Sequence, residues 1–222
     1  MKNNIFFTII AVFFIITLWW RDVARESESG QHNYITYTGV QIGITMLITS
    51  EVLFFFGFFW SYLWYILQTQ ISTGLNWPPS NLIAFDPYGV PFLNSLILLS
   101  SGVTVTYAHH IISKNHKETI KGLILTISLG LVFTLLQAYE YKNAIFSMSD
   151  ASFGSIFFTI TGFHGVHVIA GTIILAVSIK RAFKGVLRKE RHNNLILSIW
   201  YWHFVDVVWL ALYSILYWWT AL

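Results

Sequence analysis

Cysteine is absent from the sequence. Disulfides, thiolate metal sites and cysteine-ligated copper or iron–sulfur centres are therefore excluded. Charge is scarce as well: Asp, Glu, Lys and Arg make up 10% of the residues, against roughly 25% in an average soluble domain. The net charge of +3 does not indicate nucleic-acid binding, because the basic residues cluster beside apolar runs. This composition is typical of a membrane protein.

Long apolar runs dominate what is present. Hydrophobic residues make up 55% of the chain, and stretches near 20 residues recur, the length of helix that crosses a bilayer. We therefore predict an all-α, polytopic transmembrane helix bundle of about six spans in a single domain covering residues 1–222. The spans are expected at residues 5–20, 34–68, 90–112, 122–141, 153–179 and 193–219. No internal repeat accompanies them, which argues against a transporter built on repeats.

Polar segments separate the spans. We expect a polar loop over Arg21–Asn33, a basic turn over Lys114–Lys121, a basic loop over Lys180–His192 and a longer irregular segment over Thr69–Gly89. With six spans, 11 of the 13 Lys and Arg residues fall on one side of the membrane. Short loops rich in Lys and Arg remain on the cytoplasmic or matrix side. Both termini are therefore predicted to lie on the outer, intermembrane-space side.

The last span contains an apolar, tryptophan-rich run, Trp200–Trp209, with two ionisable side chains. His203 and Asp206 are three residues apart, so they can meet on one helix face, where Trp202, Asp206 and Trp209 form a stripe. A carboxylate in such a run costs a few kcal/mol unless it is paired or faces other protein. We therefore expect another helix to pack against this stripe.

Histidines within the spans are a second group of candidates. His164 and His167 share a helical face, and His167 and His203 both lie about 20 Å from the basic side at about 1.5 Å per residue. One interpretation is a metal or haem site; the other is hydrogen bonding between closely packed helices. Spacing alone leaves both open. The residues available for such a metal site are His109, His110, His164, His167, His203 and Asp206.

Glu51 is the only charged residue in the long second span. An acid inside the membrane is a functional candidate by default, as a proton carrier, a neutral acid or a partner for a buried donor. We expect a structural or lipid-contacting acid. Positive charge at the edges of the spans, at Arg181 and Lys184 and at Arg25 beside Trp20, suits anionic lipid head groups. The same charges also determine topology.

Six motifs follow one another along the chain. They are Trp19-Trp20-Arg21-Asp22-Val23 with Arg25-Glu26, Ser50-Glu51-Val52-Leu53-Phe54-Phe55, Trp77-Pro78-Pro79, Ala108-His109-His110, Thr161–Val168 and Trp200–Trp209. In this order and spacing they resemble subunit III of cytochrome c oxidase, over nearly all the chain from Trp19 to Trp219. A single short motif would be weak evidence, whereas six in register are very specific.

The resemblance implies a core subunit of a haem-copper oxidase with no catalytic residue, metal ligand or cofactor of its own. Haem and copper are in the partner subunits, which reduce oxygen and pump protons. Such a subunit packs against catalytic subunit I, protects its turnover, supports proton uptake and holds phospholipids such as cardiolipin in a cleft. By motif, the lipid-site residues are Trp20, Arg25, Glu51, His167, Arg181 and Lys184. The residues assigned to polar packing between helices are His109, His110, Glu140, His164, His203 and Asp206.

One feature departs from the family pattern. The family usually has seven helices and its Trp-Trp-Arg-Asp-Val motif closes the second, whereas one span precedes that motif here. We therefore expect the first helix to be missing and a separate polypeptide or lipid to fill its place. The start at Met1 without a transit-type segment favours the mitochondrial inner membrane, with a bacterial plasma membrane as the alternative. The alternative functions are subunit III of a quinol oxidase and a histidine-rich membrane metalloenzyme.

Overall fold

The computed structural model describes residues 2–67, 85–112, 114–185 and 192–221. Six long helices account for most of these residues. Their bounds are α1 Lys2–Glu28, α2 Tyr34–Leu67, α3 Val90–Ile111, α4 His116–Lys142, α5 Ala151–Phe183 and α6 Asn193–Leu212. The chain then continues from α6 as a π-helical turn, Tyr213–Trp218, and a 3₁₀ turn, Trp219–Ala221. The described residues include no strand, and all six helices are long and apolar enough to cross a membrane, which confirms the predicted all-α bundle of six spans.

The helices extend beyond the predicted spans into the polar segments. The predicted loop Arg21–Asn33 is wrong over its first eight residues, because α1 continues to Glu28 through residues with good helix propensity. The turn that follows contains Gly30, whose φ of 81° favours glycine. Asn33 then starts α2, since its side-chain oxygen accepts a hydrogen bond from the backbone N–H of Thr36 at 2.9 Å.

The basic segments differ from the prediction in the same way. Most of the predicted turn Lys114–Lys121 is the first part of α4, because Asn115 caps that helix by accepting from the backbone N–H groups of Lys117 and Glu118. The predicted loop after the fifth span is helical to Phe183. Most of the irregular segment predicted between the second and third spans lies outside the described residues. Basic side chains therefore lie on the helices themselves, with Lys117 and Lys121 in the first part of α4 and Lys180 and Arg181 in the last turn of α5.

The chain divides into two compact units, Met1–Ile44 and Thr45–Leu222. The first unit contains α1, the turn after it and the beginning of α2; the side chains described on α1 are mostly exposed. The second unit contains the remainder of α2 and all of α3–α6. The single domain predicted from the sequence remains a prediction, as does the side of the membrane on which the termini lie.

Helices α3 to α6 of the second unit form a closed ring. Each packs against the next in sequence, and α6 returns to contact α3. Small residues allow the close approach between α3 and α4: a Cβ placed on Gly122 would lie 3.0 Å from the Cβ of Ala108. Beside this contact, the hydroxyls of Thr104 and Thr126 are hydrogen-bonded at 2.7 Å. Most polar side chains of the candidate site lie on these four packed helices.

Candidate functional site

Two fully buried tryptophans attach α6 to α3. The indole N–H of Trp202 donates to the hydroxyl of Ser101 at 2.9 Å, and that of Trp209 donates to the hydroxyl of Ser95 at 2.9 Å. Each serine hydroxyl in turn donates to a carbonyl one helical turn earlier in α3, so donors and acceptors are matched. The prediction that another helix packs against the stripe of Trp202, Asp206 and Trp209 is confirmed, and that helix is α3.

Glycines give Trp202 its space. A Cβ on Gly130 of α4 would lie 2.6 Å from Cη2 of the indole, and a Cβ on Gly171 of α5 would lie 2.9 Å from its Cε3. Distances below 3.0 Å are not seen for real Cβ atoms, so both positions require glycine unless the indole moves. Trp202 therefore joins all four helices of the ring.

Asp206 lies on the same stripe and faces a third glycine. Its Oδ2 would be 2.7 Å from a Cβ on Gly102, so the carboxylate rests directly on the α3 backbone. His203 lies beside it, with Nδ1 3.6 Å from Oδ2. The Nε2 of His203 is 3.2 Å from the hydroxyl of Thr106 on α3. The predicted meeting of His203 and Asp206 is confirmed, and both side chains serve the contact between α3 and α6.

The two histidines of α5 engage different partners. His164 is buried, and its Nε2 lies 3.2 Å from the carbonyl of Val205 on α6, where an imidazole N–H donates. His167 lies beside α2, with Nε2 3.0 Å from Oε2 of Glu51. Within the described ranges, no three His, Cys, Asp or Glu side chains are grouped so that they could hold a metal ion. The arrangement favours packing between helices over the joint metal site.

The pair of Glu51 and His167 shares a proton. His167 donates its Nδ1–H to the carbonyl of Phe163 at 2.7 Å, so Nε2 of the neutral ring is an acceptor. The 3.0 Å contact with Glu51 then requires a proton between the two atoms, carried either as a carboxylic acid or as an imidazolium. Both forms leave the pair electrically neutral, which suits a site within a membrane-spanning helix. Glu51 is therefore a partner for a ring nitrogen, one of the roles expected from the sequence.

Glu140 belongs to a second polar group, at the opposite end of α4 from the basic turn. Its Oε1 accepts from the hydroxyl of Tyr217 at 2.7 Å, and the neighbouring Tyr141 donates to the hydroxyl of Thr161 on α5 at 2.7 Å. Glu140 was expected to pack between helices, but its partners were not predicted. Tyr217 is 77 residues away in sequence, and no local pattern predicts that pairing.

Histidines near the basic side differ from the buried ones. The rings of His109 and His110 are stacked with centroids 5.9 Å apart at the end of α3, and His110 is exposed. His116 was not among the predicted site residues. Its Nε2 lies 2.9 Å from the carbonyl oxygen of Ala182. It therefore links the start of α4 to the end of α5, close to Lys184.

The predicted lipid-site residues are divided between the two units. In the first, Trp20 has 51% of its surface exposed and Arg25 is exposed in the last turn of α1. In the second, Arg181 is on the last turn of α5 and Lys184 caps that helix with an exposed side chain. Cations at a helix C-terminus are favoured by the helix dipole and suit anionic head groups.

Comparisons with known proteins identify the relatives of the chain. Residues 1–221 match a family model described as cytochrome c oxidase subunit III. A cytochrome c oxidase subunit 3 from Drosophila melanogaster is 49% identical over 203 residues, which are 90% of this chain and 78% of that protein. The protein of the same name from Arabidopsis thaliana is 46% identical over 96% of this chain and 82% of its own length, and that from Pisaster ochraceus is 45% identical over 100% and 86%.

Proposed function

The chain belongs to the cytochrome c oxidase subunit III family, and from this premise we propose that it is a non-catalytic core subunit of a proton-pumping cytochrome c oxidase. The observation that carries the proposal is the match to this family over residues 1–221. The geometry supports it, because each ionisable side chain of the candidate site contacts a neighbouring helix. These side chains are Glu51, His164, His167, His203 and Asp206. Groups used in this way stabilise a scaffold.

The proposed role of the subunit is mechanical and protective. It packs against catalytic subunit I, stabilises it through turnover and supports proton uptake, while haem and copper reside in the partner subunits. We place the complex in the mitochondrial inner membrane, with the basic helix ends on the matrix side as the distribution of Lys and Arg predicts. The packed ring of α3–α6 offers such a partner a continuous helical surface. The separate polypeptide or lipid predicted to fill the place of the missing first helix stays a prediction.

Phospholipid binding is the second part of the proposal. Arg181 and Lys184 of the second unit would contact anionic head groups such as those of cardiolipin, and Trp20 and Arg25 would do so in the first. The Glu51–His167 pair supports the acyl-chain side of such a site, since Glu51 keeps 31% of its side chain exposed while its charge is balanced.

The lipid proposal is tested on the purified oxidase with Lys184→Ala. Native mass spectrometry and phosphorus analysis should show less retained anionic phospholipid, because each basic residue near the surface contributes about 1 kcal/mol. Lys142→Ala, which removes an exposed charge at the other end of the bundle, is the control and should leave the lipid content unchanged. Equal lipid content in both variants would exclude a role for Lys184.

The subunit role is tested by purifying a tagged chain in mild detergent. The preparation should carry the visible spectrum of haem, contain the other oxidase subunits and oxidise reduced cytochrome c. Oxidase stripped of this chain should begin turnover normally but lose activity faster and take up protons more slowly. Activity with quinol instead of cytochrome c would assign the complex to the quinol oxidases. A separated chain with its own stoichiometric metal or turnover would refute the non-catalytic role.

A further inference from the structure

Three buried polar side chains in the second unit have atoms without a hydrogen-bond partner. Asn94 is 0% exposed, Gln137 is 5% and Glu140 is 3%. By hydrogen-bond geometry, neither amide atom of Asn94 or of Gln137 is paired with a described residue, and neither is Oε2 of Glu140. These are five polar atoms in the interior of a membrane-spanning bundle. The hydroxyls of Tyr141 and Tyr217 lie near Gln137. Unpaired buried groups are rare in native proteins and call for a physical explanation.

The packing of α3 against α4 brings Asn94 to the level of Gln137, and Glu140 lies about one helical turn farther along α4. Gln137 and Glu140 are three residues apart on one face of α4. Contacts between the antiparallel helices pair Ala108 with Gly122 and Thr104 with Thr126. Counting back along α3 in the same register places Asn94 beside residue 136, next to Gln137.

Further contacts keep the two helices in register up to that level. The indole of Trp209 donates to Ser95 of α3 while its ring lies 4.8 Å, centroid to centroid, from Phe133 of α4. Ser95 is adjacent to Asn94 in the chain, and Phe133 is one turn before Gln137. Trp209 therefore bridges α3 and α4 within about one helical turn of Asn94 and Gln137.

The π-helical turn after α6 closes this region. It brings Tyr217 over α4, so that the tyrosine hydroxyl donates to Oε1 of Glu140 at 2.7 Å. The ring of Tyr217 packs against Phe157 of α5 and Phe85, with centroids 5.4 and 6.3 Å apart. One oxygen of Glu140 thus accepts a hydrogen bond from Tyr217, and the other is buried without a partner.

We propose that Asn94, Gln137 and Glu140 form a buried hydration site that holds ordered water between α3 and α4. An amide supplies both donors and acceptors and a carboxyl group supplies oxygen acceptors, which is the mixture that water needs. A buried water makes about three hydrogen bonds, so two waters would serve all five unpaired atoms. The site gives the packing of α3, α4 and the π-turn a polar centre that does not depend on metal or lipid.

The direct test is a map of the intact oxidase at a resolution that shows ordered water. Density for water within hydrogen-bonding distance of at least two of the three side chains is the expected result. Direct hydrogen bonds between Asn94, Gln137 and Glu140 with no density between them would overturn the proposal. So would a side chain of another subunit occupying the space.

A second test uses the near-isosteric variants Asn94→Leu and Gln137→Leu in the whole complex. If water bridges the amides, each change leaves the water and the remaining amide unpaired. The retention temperature, at which half of the chain is lost from the purified oxidase, should then fall by about 2–4 °C. The double variant should then lose less than the sum of the two. If the site is dry, each leucine removes an unpaired amide, and the temperature stays equal or rises, which would overturn the proposal. Ser128→Leu, at an exposed position of α4, controls for the effect of added apolar volume.

Discussion

Replacing Gly130 by alanine is expected to destabilise the ring of α3–α6. The new Cβ would lie 2.6 Å from Cη2 of Trp202 and 2.8 Å from Cγ2 of Thr172. Ordinary contact begins at 3.4 Å, so the indole would have to move by roughly 0.8 Å to restore normal packing. Movement of the indole is restricted, because Gly171 lies against its Cε3 and Cζ3 atoms and Ser101 accepts a hydrogen bond from its N–H.

The size of the effect follows from these contacts. Overpacking of this kind costs about 2 kcal/mol, and loss of the indole hydrogen bond adds about 1 kcal/mol. For a chain of this size a loss of about 3 kcal/mol lowers the melting temperature by roughly 6–12 °C. The assay is the temperature at which half of the chain is lost from the tagged, purified oxidase.

Matched glycines provide the controls. A Cβ on Gly165 of α5 or on Gly57 of α2 would meet nothing within 4 Å. Alanine at either position should raise stability by up to about 1 kcal/mol, because alanine is the better helix former. Combining Gly130→Ala with Trp202→Phe, which removes the clashing ring atoms, should cost less than the two changes added together. A Gly130→Ala protein as stable as the wild type, or strictly additive costs, would refute the tight fit of Trp202.

Three further predictions concern hydrogen bonds of the second unit. Ser95→Ala should lower the free energy of unfolding by about 1–3 kcal/mol, because it leaves the buried N–H of Trp209 unpaired. Ser95→Thr should recover that stability. Equal melting temperatures for the wild type, Ser95→Ala and Ser95→Thr would contradict this prediction. Glu51→Leu and His167→Leu should each destabilise the chain, because each change leaves the other partner unpaired. The double variant should lose less free energy of unfolding than the sum of the two single losses. Additive losses would show that the two side chains do not interact. Tyr217→Phe should lower the free energy of unfolding by about 1 kcal/mol or more, because it removes the donor to a buried carboxyl group. The measurement is the retention temperature of the chain in the purified oxidase. An unchanged temperature would show that this hydrogen bond contributes nothing to stability.

The sequence was sufficient for the features that depend on local pattern. Apolar length predicted the six helices, and the three-residue spacing of His203 and Asp206 predicted that these two side chains meet on the helix that packs against α3. The helix ends were predicted less well, since α1 continues into a charged segment and α4 begins at a cap. Asn115 before α4 was a signal in the sequence that could have corrected that second boundary.

Pairings between distant residues were beyond sequence reasoning. Glu51 and His167 are separated by 116 positions, and only the packed helices show that one accepts from or donates to the other. The π-turn at Tyr213–Trp218 has no periodic signature of its own, and it positions Tyr217 on Glu140. The lipid contacts predicted for Trp20, Arg25, Arg181 and Lys184 remain predictions.

The position of Trp202 has a consequence for biosynthesis. The glycine notches that receive it lie on α4 and α5, which leave the ribosome before α6 does. Until translation has delivered α6 to the bilayer, the glycine notches of α4 and α5 are empty, and the oxygens of Ser95 and Ser101 on α3 lack their indole donors. The ring of α3–α6 is therefore completed only when its last helix has entered the bilayer.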